Sequence, residues 1–239
     1  IPRRGTGPLR ALAGRLPRDR VDTDVYRIIP ARVPQIDLYE RVADPADYEV
    51  LYEVESLTNP RLRDEAGDLY LVPREDRVAG PGASYIMAAF THAPTDGRGG
   101  RFNRDFGVFY CTPRQQVARD ETAFHRARFL RESRSPDTVV EMRTLRARLG
   151  PEDLHDARRL PRRHPIYDPD SYAAGQALGH HLRDARSFGL RYHSVRGEGE
   201  CFAVFRPRAL STAAHLNYLD YHYCATRGRI VDITPARLR

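Results

Sequence analysis

The spacing of apolar and polar positions changes several times along the chain, and each change marks an element. Residues 25–30 read as a first strand that carries Arg27. Asp44-Pro45 offers an N-cap with proline at the first helical position. Val50, Leu51, Val54 and Leu57 then recur at helical spacing up to Asn59-Pro60. The polar stretch 61–81 predicts turns around a short strand at 69–72, and the apolar run 83–90 fits strand or helix. A glycine-rich loop at 91–101 leads to a short buried strand at 107–111. Thr112-Pro113 opens a long helix over 113–131. Alternation of Val140, Met142 and Thr144 predicts a strand at 138–145. The proline-rich stretch 150–169 reads as a loop with one short helical piece. Asp170 or Ser171 caps a further helix that runs to about 187 and stops before Gly189. Short strands at 190–195 and 201–205 flank a turn with Gly197 and Gly199, and the last thirty residues are strand-like and rich in tyrosine. No repeat or clean linker appears. The pattern predicts one mixed α+β domain with flanking helices, preceded by a basic flexible arm over residues 1–22.

Composition narrows the class. The 239 residues are 41% hydrophobic and 30% charged, which excludes a wholly disordered, collagenous or coiled-coil chain. No apolar run approaches the ~18–20 residues of a membrane span, and no secretory-type stretch lies near the start. The chain opens at Ile1, so a natural start upstream is expected. Three cysteines, Cys111, Cys201 and Cys224, are too few for a disulfide framework. They predict a reducing, cytoplasmic setting and lack zinc-site spacing, so no metal is expected. The net charge is +7, and because lysine is absent arginine carries all of the fixed basic charge. Guanidinium forks suit phosphate and carboxylate partners. Codon bias that replaces lysine is the plainer reading of the composition as a whole.

Chemistry concentrates in two segments. In the first, Gly97-Arg98-Gly99-Gly100-Arg101-Phe102-Asn103 precedes a strand ending near Tyr110, and the helix that follows contains Glu121. Glycines allow a ligand close to the backbone, Arg101 can fork onto a phosphate, and Tyr110 offers a ring or a hydroxyl. Val117, Glu121 and Phe124 share a helix face, where a carboxylate needs a partner or a cleft. A buried ion pair with an arginine is the structural alternative. The second segment is Gly189-Leu190-Arg191-Tyr192-His193-Ser194-Val195-Arg196. Ser194 lacks a nucleophile elbow, so it reads as a positioning hydroxyl rather than a triad nucleophile.

Together these segments resemble the RES domain family, over residues 26–232. The resemblance rests on the GGRFN stretch from Gly99, the Tyr110 strand end, the Glu121 helix, the GLRYHSVR stretch with CFAVFRP after it, and the GPGA context before Ser84. The arginine, glutamate and serine of the family name fall on Arg101, Glu121 and Ser194, while the local Arg131-Glu132-Ser133 is a coincidence. The chain departs in a longer segment between Arg27 and Arg101. The resemblance implies that residues 23–239 form the RES domain, with a fold similar to ADP-ribosyltransferases and a split or twisted central sheet. It implies a toxin of a toxin–antitoxin pair that breaks the nicotinamide–ribose bond of NAD by hydrolysis or phosphorolysis. NAD is then a substrate rather than a prosthetic group, and inorganic phosphate is the co-substrate of the second route. Arg101, Glu121 and Ser194 are the implied catalytic residues. Arg27, Tyr110 and Arg196 are the implied substrate contacts. An Xre-type antitoxin is the implied partner, linking the chain to DNA only indirectly. Homo-oligomerisation stays open. Two other readings also stay open: transfer of ADP-ribose to a protein, and a basic nucleic-acid-binding module whose affinity would fall steeply with salt.

Overall fold

The structure, a computed structural model, describes residues 8–32, 39–40, 44–45, 48–50, 52–53, 67–94 and 99–236. Among these residues are the α-helices α1 (Pro8–Arg15), α2 (Ala83–Thr91), α3 (Gln115–Glu132) and α4 (Ala173–Asp184), besides helical residues at 48–50 and 52–53. The strands are β1 (Arg18–Pro30), β2 (Phe109–Cys111), β3 (Thr138–Asp156), β4 (Gly189–His193), β5 (Glu200–Val204), β6 (Leu210–Cys224) and β7 (Arg229–Pro235). The fold is the expected mixed one, a central sheet with flanking helices.

The spine of the sheet is β3. It pairs antiparallel with β1 and, as far as Leu149, with β6. Beyond that point β4 joins β3 in parallel at His155 and Asp156. The sheet then continues through β5 to β2, while β7 extends the other end from β6. Just past β2, Thr112 and Tyr26 of β1 exchange both backbone hydrogen bonds (2.7 and 3.0 Å). The path β1–β3–β4–β5–β2 therefore returns to β1. It encloses a core in which Val21, Val25, Phe109, Leu149, Leu154, Phe202 and Val204 meet α2. On the outside, α3 packs through Ala118 on Ile28, Met142, Leu219 and Tyr221. A second outer cluster joins α1 and α4 to Phe102, Phe106, Leu190 and Ala203.

Several elements differ from the sequence expectation. Residues 8–22, expected to belong to a flexible arm, form α1 and the start of β1, and Ala13, Leu16 and Val21 are buried. Their apolar side chains are few but fall on one side, so the arginines between them stay in water while the segment packs. Residues 1–7 lie outside the described residues. So do Val54, Leu57 and Asn59-Pro60 of the helix expected after Asp44-Pro45, although 48–50 are helical. The strand expected at 69–72 is a single 3-10 turn, Leu69–Leu71, because the Asp68 carboxylate accepts the Tyr70 N–H (2.9 Å) and turns the chain. The loop expected from residue 150 is instead the far half of β3. Gly150, at φ +107°, and Pro151 make a bulge opposite Val21 and Thr23, and the ladder resumes at Glu152. Thr112 shapes the entry to α3 by accepting the Arg114 N–H (3.0 Å), but Arg114 itself is the cap residue. No helix among the described residues is long and apolar enough to cross a membrane.

Candidate active site

Two segments meet around one carboxylate, and a third lies within electrostatic reach of the same neighbours. The first is α3, which presents Glu121 from the face that Val117 and Ala118 bury. The second is the turn after β4, where Ser194 is fully buried. The Ser194 hydroxyl donates to Glu121 Oε1 (2.6 Å), and the Val195 N–H donates to the same oxygen (3.2 Å). Ser194 Oγ in turn accepts from the N–H groups of Arg196 (3.2 Å) and Gly197 (3.0 Å). The Ser194 hydroxyl thus has both its donor and its acceptor roles filled, and no histidine among the described residues bonds to it. The second carboxylate oxygen, Oε2, is 3.9 Å from His125 Nε2, one turn along α3. No arginine nitrogen of the described residues lies within ion-pair distance of Glu121, so the alternative of a simple buried ion pair does not hold.

The third segment is the glycine-rich loop. Its Arg101 is buried and lies 4.6 Å over the Tyr172 ring. Arg101 Nη1 donates to the carbonyls of Ile166 (3.1 Å) and Asp168 (2.6 Å), which fixes the 165–168 turn. Nε and Nη2 have no protein acceptor among the described residues. Arg101 and Glu121 act electrostatically on the same two neighbours, Tyr192 and His125. Burial sets Tyr192 well above the usual phenol range, with Glu121 raising it further and Arg101 opposing. Burial lowers His125 below the usual imidazole value, against the pull of Glu121 and with help from Arg196, Arg101 and Arg128. The balance favours the neutral imidazole.

The other expected residues divide. Arg196 is at the site: its guanidinium lies 3.4 Å over the Phe124 ring and donates to the Pro169 carbonyl. Tyr110 is beneath the loop, and its hydroxyl is already in use. It donates to Asn103 Oδ1 (2.7 Å) and accepts the Phe102 N–H (2.8 Å), so only the ring is left to face a ligand. Arg27 is not brought to Glu121. It fills the gap where β1 and β2 diverge, 4.7 Å over Phe109, with Nη1 aimed at the carbonyls of Val108 (3.4 Å) and Tyr110 (3.5 Å). Burial lowers its pKa there, and the free edge of β2 supplies acceptors for a cation between strands.

Sequence reasoning missed four contributors. Asn103 accepts the Gly100 N–H (2.8 Å) and donates to the Phe106 carbonyl (2.6 Å), so it is the internal tie of the loop. Gly175 and Gly179 lie one turn apart on α4, and a Cβ on either would strike the backbone oxygen of Arg101 (2.4 Å) or Phe102 (1.8 Å). His125 follows Glu121 by four positions, a spacing that was available to find it.

The family model for the RES domain matches residues 74–224, which include Arg101, Tyr110, Glu121, Ser194 and Arg196. An uncharacterized protein of Sinorhizobium fredii, y4oC, is 32% identical over 79 residues, or 32% of this chain and 33% of that protein. The match thus spans about a third of that relative's length. Among solved structures, the MbcT–MbcA toxin–antitoxin complex of M. tuberculosis contains a chain that superposes with a TM-score of 0.47 at 12% identity, covering 92% of this chain and 94% of that one.

Proposed function

Because the chain belongs to the RES domain family, we propose that it degrades NAD by breaking the nicotinamide–ribose bond, with water or inorganic phosphate as acceptor, as the toxin of a toxin–antitoxin pair. The observation that carries this reading is the Glu121 carboxylate, held by the Ser194 hydroxyl and the Val195 N–H at one oxygen while the other faces His125. Nicotinamide already carries a positive ring in NAD. When the C1′–N bond breaks, the ring takes both electrons and leaves neutral, so no strong acid is required. The ribose is left with oxocarbenium character, which a pre-oriented carboxylate stabilises in place. An oxygen of water or phosphate then bonds to C1′, and water gives up a proton that neutral His125 is placed to accept. The free N–H groups of Arg101 suit the pyrophosphate, or an attacking phosphate. Arg196 and the Tyr110 ring would flank the same ligand, whereas Arg27 would support β2 from behind. An antitoxin of the Xre type would silence the enzyme by covering this cleft.

A proton NMR time course of NAD with the protein tests the proposal. Free nicotinamide should accumulate, and the companion product should be ADP-ribose or, if phosphate is the acceptor, its 1-phosphate in phosphate buffer only. Intact NAD after prolonged incubation at high enzyme concentration, or ADP-ribose found only on protein, would overturn it.

A further inference from the structure

Three arginines are buried among the described residues: Arg77, Arg101 and Arg143. The first two have oxygen acceptors in good geometry. Arg77 pairs with Glu49 (3.1 Å) and donates to the Val72 carbonyl (3.0 Å), and Arg101 holds the two carbonyls already described. Arg143, in the middle of β3, is different. It is 8% exposed, its Nε is sealed from solvent with no partner, and its one hydrogen bond is a long contact from Nη2 to the Tyr218 hydroxyl (3.4 Å). The rings of Tyr218 and Tyr85 flank the guanidinium at 5.5 and 5.9 Å, with the His215 ring 4.3 Å from that of Tyr218. Glu141 and Asp220 lie opposite each other two positions along the strands, yet neither reaches ion-pair distance.

A mostly buried guanidinium whose Nε–H has no partner, and whose terminal nitrogens make one long bond to protein, is costly unless an anion completes it. Ring faces offset part of that cost, but they supply no acceptor for the N–H groups in the guanidinium plane. Tyr218 accepts from Nη2 and keeps its own hydroxyl proton to donate. We propose that Arg143 and Tyr218, between β3, β6 and α2, form a binding site for an oxyanion of the phosphoryl class. The site lies apart from the Glu121 cleft and rests on none of the catalytic reading. Guanidinium donors and a phenolic donor set at different angles suit a tetrahedral anion, whose oxygens diverge, better than a planar carboxylate.

The test is the Nε–H signal of Arg143 in arginine-labelled protein, assigned by its loss in Arg143→Lys and titrated with inorganic phosphate. The expected result is a saturable downfield shift, absent with chloride at equal ionic strength, and an affinity about tenfold weaker in Tyr218→Phe. Because the readout belongs to one side chain, phosphate entering the catalytic cleft does not imitate it. A shift that never saturates or that chloride reproduces, equal affinity in Tyr218→Phe, or a proton already bonded without phosphate would each overturn the proposal.

Discussion

Two opposing effects meet at Gly179, and their difference can be measured. In the interior of α4, exchange of glycine for alanine should gain about 1 kcal/mol from helix propensity alone. The structure reverses the sign. A Cβ at Gly179 would stand 1.8 Å from the Phe102 carbonyl oxygen and 2.7 Å from its carbon. Ordinary carbon–oxygen contacts begin near ~3.3 Å, so the loop or the helix must retreat by about 1.5 Å. Overpacking of this kind typically costs about 1–3 kcal/mol, and here the obstacle is backbone, which cannot rotate away. Gly179→Ala should therefore lose up to about 2 kcal/mol net, read as a lower urea midpoint at unchanged slope. The same retreat carries Arg101, the neighbour of Phe102, out of register with Glu121. A misplacement near 1 Å can cost about 10²-fold in rate, so nicotinamide release should fall by that order. Gly14 of α1 is the internal control: a Cβ there meets nothing within 4 Å, and Gly14→Ala should be neutral or stabilising by up to about 1 kcal/mol. If Gly179→Ala were the more stable protein with unchanged turnover, the packing of α4 against the Arg101 loop would be wrong.

Ser194→Ala removes one donor to Glu121 and strands two backbone N–H groups. A stability loss of about 2–3 kcal/mol and a lowered kcat are expected, and full turnover would remove the positioning role. Tyr110→Phe releases the Phe102 N–H and Asn103 Oδ1 together. It should raise KM more than it lowers stability, and an unchanged KM would detach the loop from substrate binding. His155 is buried, accepts from Arg18 Nε (3.2 Å), and donates through Nδ1 to Ser187 Oγ (2.8 Å). Burial, with Arg18 beside it, holds its pKa down to about 4 against an ordinary value of 6.5. The unfolded chain thus binds a proton that the folded chain refuses over that window. Stability is full above pH 6.5 and should decline as the pH falls toward 4. His155→Gln should flatten that slope in denaturation curves, and an identical slope would place the lost stability elsewhere.

What the sequence revealed follows from which forces are local. Glu121 was legible because a carboxylate on the apolar face of a long capped helix is a local contradiction, and local contradictions point to sites. The partner that resolves it, Ser194, is 73 positions away. Nothing local to either segment announces its 2.6 Å bond to Oε1. The strands at β2, β4 and β5 were legible from short apolar runs. The far half of β3 was not, since Gly150-Pro151 signals a loop in any local window and becomes a bulge only because β1 pairs on both sides of it. The arginine-rich start misled in the same way: its three buried apolar residues have meaning only against α4 and β3. Arg27 was drawn to phosphate by its residue type, yet the divergence of β1 from β2, a tertiary feature, gives it carbonyls instead. Gly175 and Gly179 form a four-residue spacing that could have been read as a close helix contact, though not as a contact with the Arg101 loop.

Glu121→Gln keeps the size of the side chain and an oxygen for Ser194 while removing the negative charge, so it separates holding NAD from cleaving it. Binding by calorimetry and nicotinamide release by NMR, measured on the same preparation, should show affinity within a few-fold of wild type and turnover lower by about 10²–10³-fold. Wild-type release from a well-folded Glu121→Gln protein would contradict the account at its centre.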